Sequence, residues 1–256
     1  MARYAYIVVE GIHDLEVLAQ LLKLEGFDRV RQFSSPDRFW EKLVPKSFPI
    51  DDDLLKRVPV PTFVERRDHS VAIHTAGSLS RITQTVEETM TLLGGGATTI
   101  EAIGVVVDAD DSRPSVRFEA LKTKLESYGL TLPSSPGLVS IGPPRAGIYV
   151  IPDNIGTGTL EHLLLQCAEE NYSNLRDTAR SYLDSFDKSA LLSSELAEFT
   201  RPFGLEKAWV AAIGNVLKPG KAIQVSLQDN RWIDAGTSSL PDIKNLQRFL
   251  KEIVGL

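Results

Sequence analysis

Cysteine is nearly missing: Cys167 stands alone in 256 residues, so no disulfide can close within the chain and no thiolate pair can hold zinc. A single thiol fits a reducing compartment, and in the apolar run around it Cys167 reads as a packing residue. Histidine is scarce as well, and His13, His69, His74 and His162 are dispersed rather than clustered. No apolar run approaches the roughly 20 residues that cross a bilayer, and the first one, Ala5 to Val9, is cut off by Glu10 well short of a signal-peptide core. The expectation is a cytoplasmic protein with no membrane partner. An excess of positive charge is also missing. With 28 Lys and Arg against 34 Asp and Glu, the net charge is -6, which counts against avid, non-specific duplex binding. It leaves room for a nuclease, because clustered metal-binding carboxylates themselves lower the total. The chain lacks a G-x-x-x-x-G-K-[ST] loop and a G-x-G-x-x-G fingerprint, so ATP hydrolysis and dinucleotide binding have no support.

What is present is ordinary globular composition, 43% hydrophobic and 24% charged. Short β-rich apolar runs alternate with helical patterns. Tyr4 to Val9 (YAYIVV) reads as a strand buried on both faces, followed by a helix from Asp14 with Leu15, Leu18, Leu21 and Leu22 on one stripe. A weak strand is expected near Val30 to Phe33. Residues 34 to about 70 are punctuated by Pro36, Pro45, Pro49, Pro59 and Pro61 and carry the acidic run Asp51 to Asp53. They read as an excursion from the sheet with one helix near Asp37 to Leu43. Val71 to His74, Ile103 to Val107 (IGVVV) and Gly147 to Ile151 (GIYVI) resume strands, with helices at Ser78 to Leu93, Arg113 to Tyr128 and from Thr159. This alternation predicts an α/β fold with a mostly parallel sheet covered on both faces. The last third changes to helical stripes, ending in a helix over Asp242 to Val254. The expected organisation is a core over 1–170, with the excursion at about 34–70, and a helical extension over 171–256 packed on it.

The acids carry the chemistry. Three strands end in them: Glu10 after YAYIVV, Asp108 and Asp110 after IGVVV, and Asp153 after GIYVI, with Glu161 in the first turns of the next helix. In an open parallel sheet these positions share one edge, in the crevice where connections diverge. Two like charges about 4 Å apart repel by roughly 4 kcal/mol at an effective dielectric near 20. A cluster of three or more therefore raises its pKa values or recruits a cation. With oxygen donors alone, the cation expected is Mg²⁺ or Mn²⁺. An Asp after a strand also serves as an ordinary turn or cap residue. Glu10 does little for a turn, and its combination with the later Asp-Ala-Asp is the specific signal.

Glu10-Gly11-Ile12-His13-Asp14 together with Asp108-Ala109-Asp110 resembles the TOPRIM signature, an EGxxD after the first strand and a DxD after a later one. VVVDADD, IPDN and GTLEHLL further resemble stand-alone TOPRIM-like proteins related in pattern to the OLD (overcoming lysogenization defect) nucleases, over roughly Tyr4 to the C-terminus. The resemblance implies a Rossmann-like TOPRIM core. It implies Glu10 as general acid or base, Asp108 and Asp110 as metal ligands, and Glu161 as a ligand for a second metal; Asp14 would steady the turn. The PGKA stretch adds Lys218 and Lys221 as cations for charge developing on a phosphate.

The expected activity is Mg²⁺-dependent phosphodiester chemistry, a nuclease acting on DNA or RNA. Two alternatives stand beside it: a non-catalytic TOPRIM module that binds nucleic acid or regulates, and phosphoryl transfer on a small nucleotide. A separate partner protein and a homodimer stay open. A haloacid-dehalogenase-like phosphatase would carry its Asp-x-Asp on the first strand, and a receiver domain fits half this length. His74, at a strand end, is weighed as approaching the acids, and Gly156-Thr157-Gly158 as an anion-binding turn ahead of a helix. Arg66 and Arg67 have a solvated loop as their default.

Overall fold

The structure, a computed structural model, describes residues 2–32, 34, 37–47, 59–94 and 99–256. Six strands form one sheet: β1 (Arg3–Val9), β2 (Asp28–Arg29), β3 (Thr62–Arg66), β4 (His69–Thr75), β5 (Ala102–Asp108) and β6 (Arg145–Ile151), in the order β2-β3-β4-β1-β5-β6. The stretch β4-β1-β5-β6 is parallel, and β2 and β3 add an antiparallel edge. The result is the α/β, Rossmann-like architecture that the alternation of elements predicts.

Strand β3 corrects the reading of the proline-rich segment. The excursion returns to the sheet at Thr62, where Phe63 and Val64 are buried and pair with Ala72 and Val71. Two prolines before it and two charges at its end hide a strand of only five residues. The helix expected near Asp37 is a 3-10 helix over Arg38–Leu43, whose Trp40 is fully buried. The strand expected near Val30 is the two-residue β2, shifted to Asp28–Arg29. Phe33, the acidic run Asp51 to Asp53 and the glycines at 95 and 96 lie outside the described residues.

Helix α1 (Ile12–Leu24) covers one face of the sheet, and α2 (Ile82–Leu93) and α3 (Pro114–Ser127) cover the other. The two-residue period of the strands sorts the side chains. Ala5, Ile7 and Val9 of β1 and Ala102 and Val106 of β5 enter the α1-side core. Tyr4, Tyr6 and Val8, with Ile103, Val105 and Val107, enter the α2/α3-side core. The chain leaves β1 through α1 towards β4 on one side, and leaves β5 through α3 towards β6 on the other. The C-terminal ends of β1 and β5 therefore flank the crevice where connections diverge.

The remaining helices are α4 (Leu160–Ser185), α5 (Ser193–Thr200), α6 (Gly204–Leu217), α7 (Ile223–Asp229) and α8 (Pro241–Val254). The boundary expected at 170/171 falls inside α4, beside Tyr172, where φ -142° and ψ 34° interrupt the helix. Cys167 on α4 is buried, and desolvation pushes its thiol up to about 12, as suits a packing residue. Helix α8 lies directly on the sheet. Gly104 and Gly147 are cross-strand partners, and a Cβ on Gly104 would meet Ile253 at 3.4 Å, while one on Gly147 would meet Phe249 at 2.8 Å. The paired glycines hollow the sheet so that α8 can settle into it, and Ile243, Leu246, Phe249, Leu250 and Ile253 join the same core as α1 and β1.

Because α8 fills this hollow, Leu246→Ala should cost about 2–5 kcal/mol, the usual range for emptying a core leucine. Urea unfolding should show one transition, shifted to lower denaturant. A separate early transition, or no shift, would show that α8 is dispensable to the core.

Candidate functional site

The parallel register carries the acids to one edge. Val9 pairs with Val106, so Glu10 leaves β1 alongside the end of β5, about 4.8 Å away at ordinary strand spacing. Asp108 ends β5 and Glu161 opens α4. Two backbone hydrogen bonds between Asp110 and Gly158, at 2.8 and 2.9 Å, tie the loop after β5 to the turn before α4. Asp110 adopts φ +52°, a left-handed conformation that aspartate tolerates better than most residues. This clamp brings Asp108 to the first turn of α4, where the Leu160 N–H donates to Asp108 Oδ1 at 2.9 Å. The positive end of the helix dipole thus faces the carboxylate.

Asp14, in the first turn of α1, is the acid whose surroundings the sequence concealed. It is buried and accepts a hydrogen bond from the Gly11 N–H at 2.9 Å, the turn-steadying role expected of it. Burial, with Glu10 and Glu161 nearby, also raises its pKa to about 7. The Asp108 carboxyl is held well above the usual carboxylate range by burial, then by repulsion from Asp14, Glu161 and Glu10. Glu10 is raised by burial and by Asp110, with a backbone hydrogen bond from Asp108 and then Arg117 and Lys207 opposing, and its Oε1 is buried with no hydrogen-bond partner among the described residues.

These acids spread along the sheet edge, with Glu10 near both Asp108 and Asp110. Glu10 continues the parity of Tyr6 and Val8, towards α3, where Asp110 accepts from Arg117 Nη2 at 3.0 Å. Asp108 continues the parity of Ala102 and Val106, towards α1 and α4. There Glu161, buried, is ion-paired with Lys207 Nζ of α6 at 3.3 Å. Asp108 and Asp110 thus have different partners, one carboxylate at the α4 N-terminus and the other on Arg117. Among the described residues, no three His, Cys, Asp or Glu side chains stand together closely enough to hold a metal ion in this arrangement.

The other candidates fall elsewhere. Asp153 Oδ1 accepts from the Ile155 and Gly156 N–H groups at 2.9 and 2.7 Å, which is turn-making. The N–H groups of Gly156, Gly158, Thr159 and Leu160 are engaged by Asp153, the Asp110 carbonyl, His162 Nδ1 and Asp108 respectively, so the turn before α4 is satisfied from within. Lys218 caps the far end of α6 and pairs with Asp229 at 3.0 Å; Lys221 follows in the next turn. Lys218 lies eleven residues beyond Lys207, about 16 Å along the helix axis. Lys207 is the lysine beside the acids, and no motif marked it. His13 borders the site, and burial lowers its pKa, with Glu161 opposing. His74 points away, with Nδ1 2.6 Å from Tyr6 Oη and Nε2 3.1 Å from the Pro59 carbonyl oxygen.

The buried Asp14 sets a pH signature. Its folded pKa lies above the ordinary aspartate value of 3.8, so the stability it lends as a neutral acid is complete below that value and is lost as pH rises towards about 7. Asp14→Asn keeps an acceptor for the Gly11 N–H and removes the ionisation. In metal-free buffer its Tm relative to wild type should climb by a few degrees between about pH 4 and pH 8. A difference that stays flat across that range would contradict the buried, repelled carboxylate.

A hypothetical protein from Pyrococcus horikoshii has a solved structure that is 20% identical with a TM-score of 0.50, covering 98% of this chain and 95% of that one; the likeness shows the fold. The C-terminal region of the OLD protein of Xanthomonas campestris pv. campestris is 12% identical with a TM-score of 0.41 over 98% of this chain and 96% of that one. The C-terminal region of the OLD protein of Burkholderia pseudomallei is 16% identical with a TM-score of 0.40 over 99% of each chain. Likeness as loose as these last two decides nothing about chemistry. No curated protein matches the sequence. The family model that does match spans residues 4–255, and the chain belongs to that family, DUF3226, described as a protein of unknown function.

Proposed function

We propose that the protein is a Mg²⁺-dependent enzyme of phosphodiester chemistry, a nuclease acting on DNA or RNA through a TOPRIM-like site. The observation that carries this reading is the gathering of Glu10, Asp14, Asp108 and Glu161 along one sheet edge, where burial and mutual repulsion raise the proton affinity of Glu10, Asp14 and Asp108. The donors fit a hard cation: all are oxygens, and Glu10 Oε1 is buried without a partner. Asp108 and Glu10 would hold the metal, with Asp110 beside them and Glu161 available to a second ion. Bound there, magnesium would neutralise phosphate oxygens and lower the pKa of a water. Glu10 would take the proton from the attacking water or return one to the leaving oxygen. Lys207 exchanges Glu161 for a non-bridging phosphate oxygen, and Arg117 stands behind Asp110 as a second cation. Lys207 thus takes the role first given to Lys218 and Lys221.

A second reading, a nucleic-acid-binding module without turnover, draws support from the lack, among the described residues, of three acids close enough to hold a metal and from the pairing of Lys207 and Arg117 with acids.

The test is cleavage of plasmid, single-stranded DNA and RNA with Mg²⁺ or Mn²⁺, alongside a phosphate-release screen on small nucleotides. Wild type should cut one of the polymers. Asp108→Asn should lose at least about a hundredfold, and Lys207→Ala about 10²–10³, the size seen when one preorganised stabiliser of transition-state charge is removed. Calorimetry should register Mn²⁺ binding to wild type and not to Asp108→Ala. Nucleic-acid binding with no cutting by any variant would establish the module instead.

A further inference from the structure

The opposite end of the sheet carries the reverse charge. Arg3 opens β1 and Arg145 opens β6, one on either side of β5. Strand alternation sets both on the face that receives Ala5, Tyr149 and α8. Their guanidiniums converge on the carbonyl end of α8. Arg3 Nη1 donates to the Gly255 carbonyl at 3.2 Å, and Arg145 Nη2 to the Ile253 carbonyl at 3.0 Å. A Cβ on Gly255 would lie 2.8 Å from Arg3 Nη2 and 2.9 Å from Arg145 Nη2, so both Nη2 atoms border one spot. Gly255, at φ +79°, ends the helix in the left-handed region and leaves room there for both side chains.

A single cation offsets the partial negative charge of a helix C-terminus. Here two arginines meet it, besides Lys251 in the last turn, which pairs with Glu25. Among the described residues, the carboxylate paired with the arginines is Glu101, 3.4 Å from Arg3 Nε and 41% exposed; Asp68, nearby, pairs with His69. The two guanidiniums repel: the Arg145 pKa is lowered by burial and then by Arg3, with Glu101 opposing. Donors are also left over. Arg145 Nε is buried with no hydrogen-bond partner, and neither Arg3 Nη2 nor Arg145 Nη1 donates to any described residue. Leu256 lines an open groove of about 890 Å³ with Lys244, Arg248, Lys251 and Glu252, so the approach to the pair is roomy and mostly positive. The acids are far off, since the length of β1, about 20 Å, separates Arg3 from Glu10.

We infer that Arg3 and Arg145 form a binding site for a phosphate dianion, either inorganic phosphate or the terminal phosphate of a small monoester. Guanidinium forks match phosphate oxygens in geometry. Two positive charges also match the charge of about -1.5 to -2 that a phosphate monoester carries near pH 7, where a carboxylate brings one. A phosphate held here bridges β1, β6 and the end of α8, and so tightens the last helix on the sheet without touching the acids. The site stands apart from the nuclease reading and does not depend on it.

The test is isothermal titration in EDTA, at ionic strength held constant with chloride, using inorganic phosphate, adenosine monophosphate and acetate as separate titrants. At least one of the two phosphates should bind saturably, and the tighter of them identifies the source. Acetate should bind at least about tenfold more weakly, because it brings one charge to two arginines. Arg145→Lys keeps a cation for the Ile253 carbonyl and removes the fork, so phosphate affinity should fall at least about tenfold. Arg3→Gln should lose as much. Lys207→Ala, altered at the acid site, should bind phosphate as wild type does. Saturating phosphate should raise the Tm of wild type and leave that of Arg145→Lys unmoved. Failure of both phosphates to bind, acetate binding as tightly as they do, affinity undiminished in the two arginine variants, or affinity lost in Lys207→Ala would overturn the site.

Discussion

The arrangement depends on one contact, the hydrogen bond from the first turn of α4 to Asp108 at the end of β5. It joins the sheet to the C-terminal helices at the point where charge is most crowded. A buried carboxylate with like-charged neighbours is costly. Here the helix N-terminus offsets part of that cost and fixes the carboxylate beside Glu10. The Asp110–Gly158 bridge keeps the two loops in register, and α4 then carries Glu161, and through it Lys207 on α6, to the same edge. The site thus requires the C-terminal helices as much as the sheet.

Much of this was legible in the sequence for a definite reason. A strand buried on both faces reads as an unbroken apolar run, so YAYIVV and IGVVV were visible, and the acid closing each run marks the sheet edge. Glu161 was legible because GTLE places it in a helix opening after a turn. Strand β3, next to the edge and flanked there only by the two-residue β2, was hidden because it needs little apolar sequence, and prolines beside it imitate a loop. The pleat alone would put Asp108 and Asp110 on one face; their different partners follow from the end of β5 at Asp108 and the left-handed turn at Asp110, which the sequence does not display.

Lys207 was beyond sequence reading. It sits among the apolar residues of α6 with no motif around it, and what selects it is the packing of α6 against α4. Lys218 and Lys221 drew attention because they flank Pro219 and Gly220, yet a turn at a helix end is where lysines commonly lie, and Lys218 already has Asp229 as a partner. The paired glycines were likewise silent. Only cross-strand register puts Gly104 opposite Gly147 and explains why the last helix belongs to the core.

The central claim is that carboxylates from the ends of two neighbouring strands share one divalent cation. A crystal structure of the protein soaked in Mn²⁺, with the metal located by its anomalous scattering, addresses it most directly. The account predicts a peak bonded to Asp108 and Glu10, with Glu10 Oε1 no longer without a partner. A protein that takes up no manganese at this edge, or binds it only through carboxylates elsewhere, would contradict it.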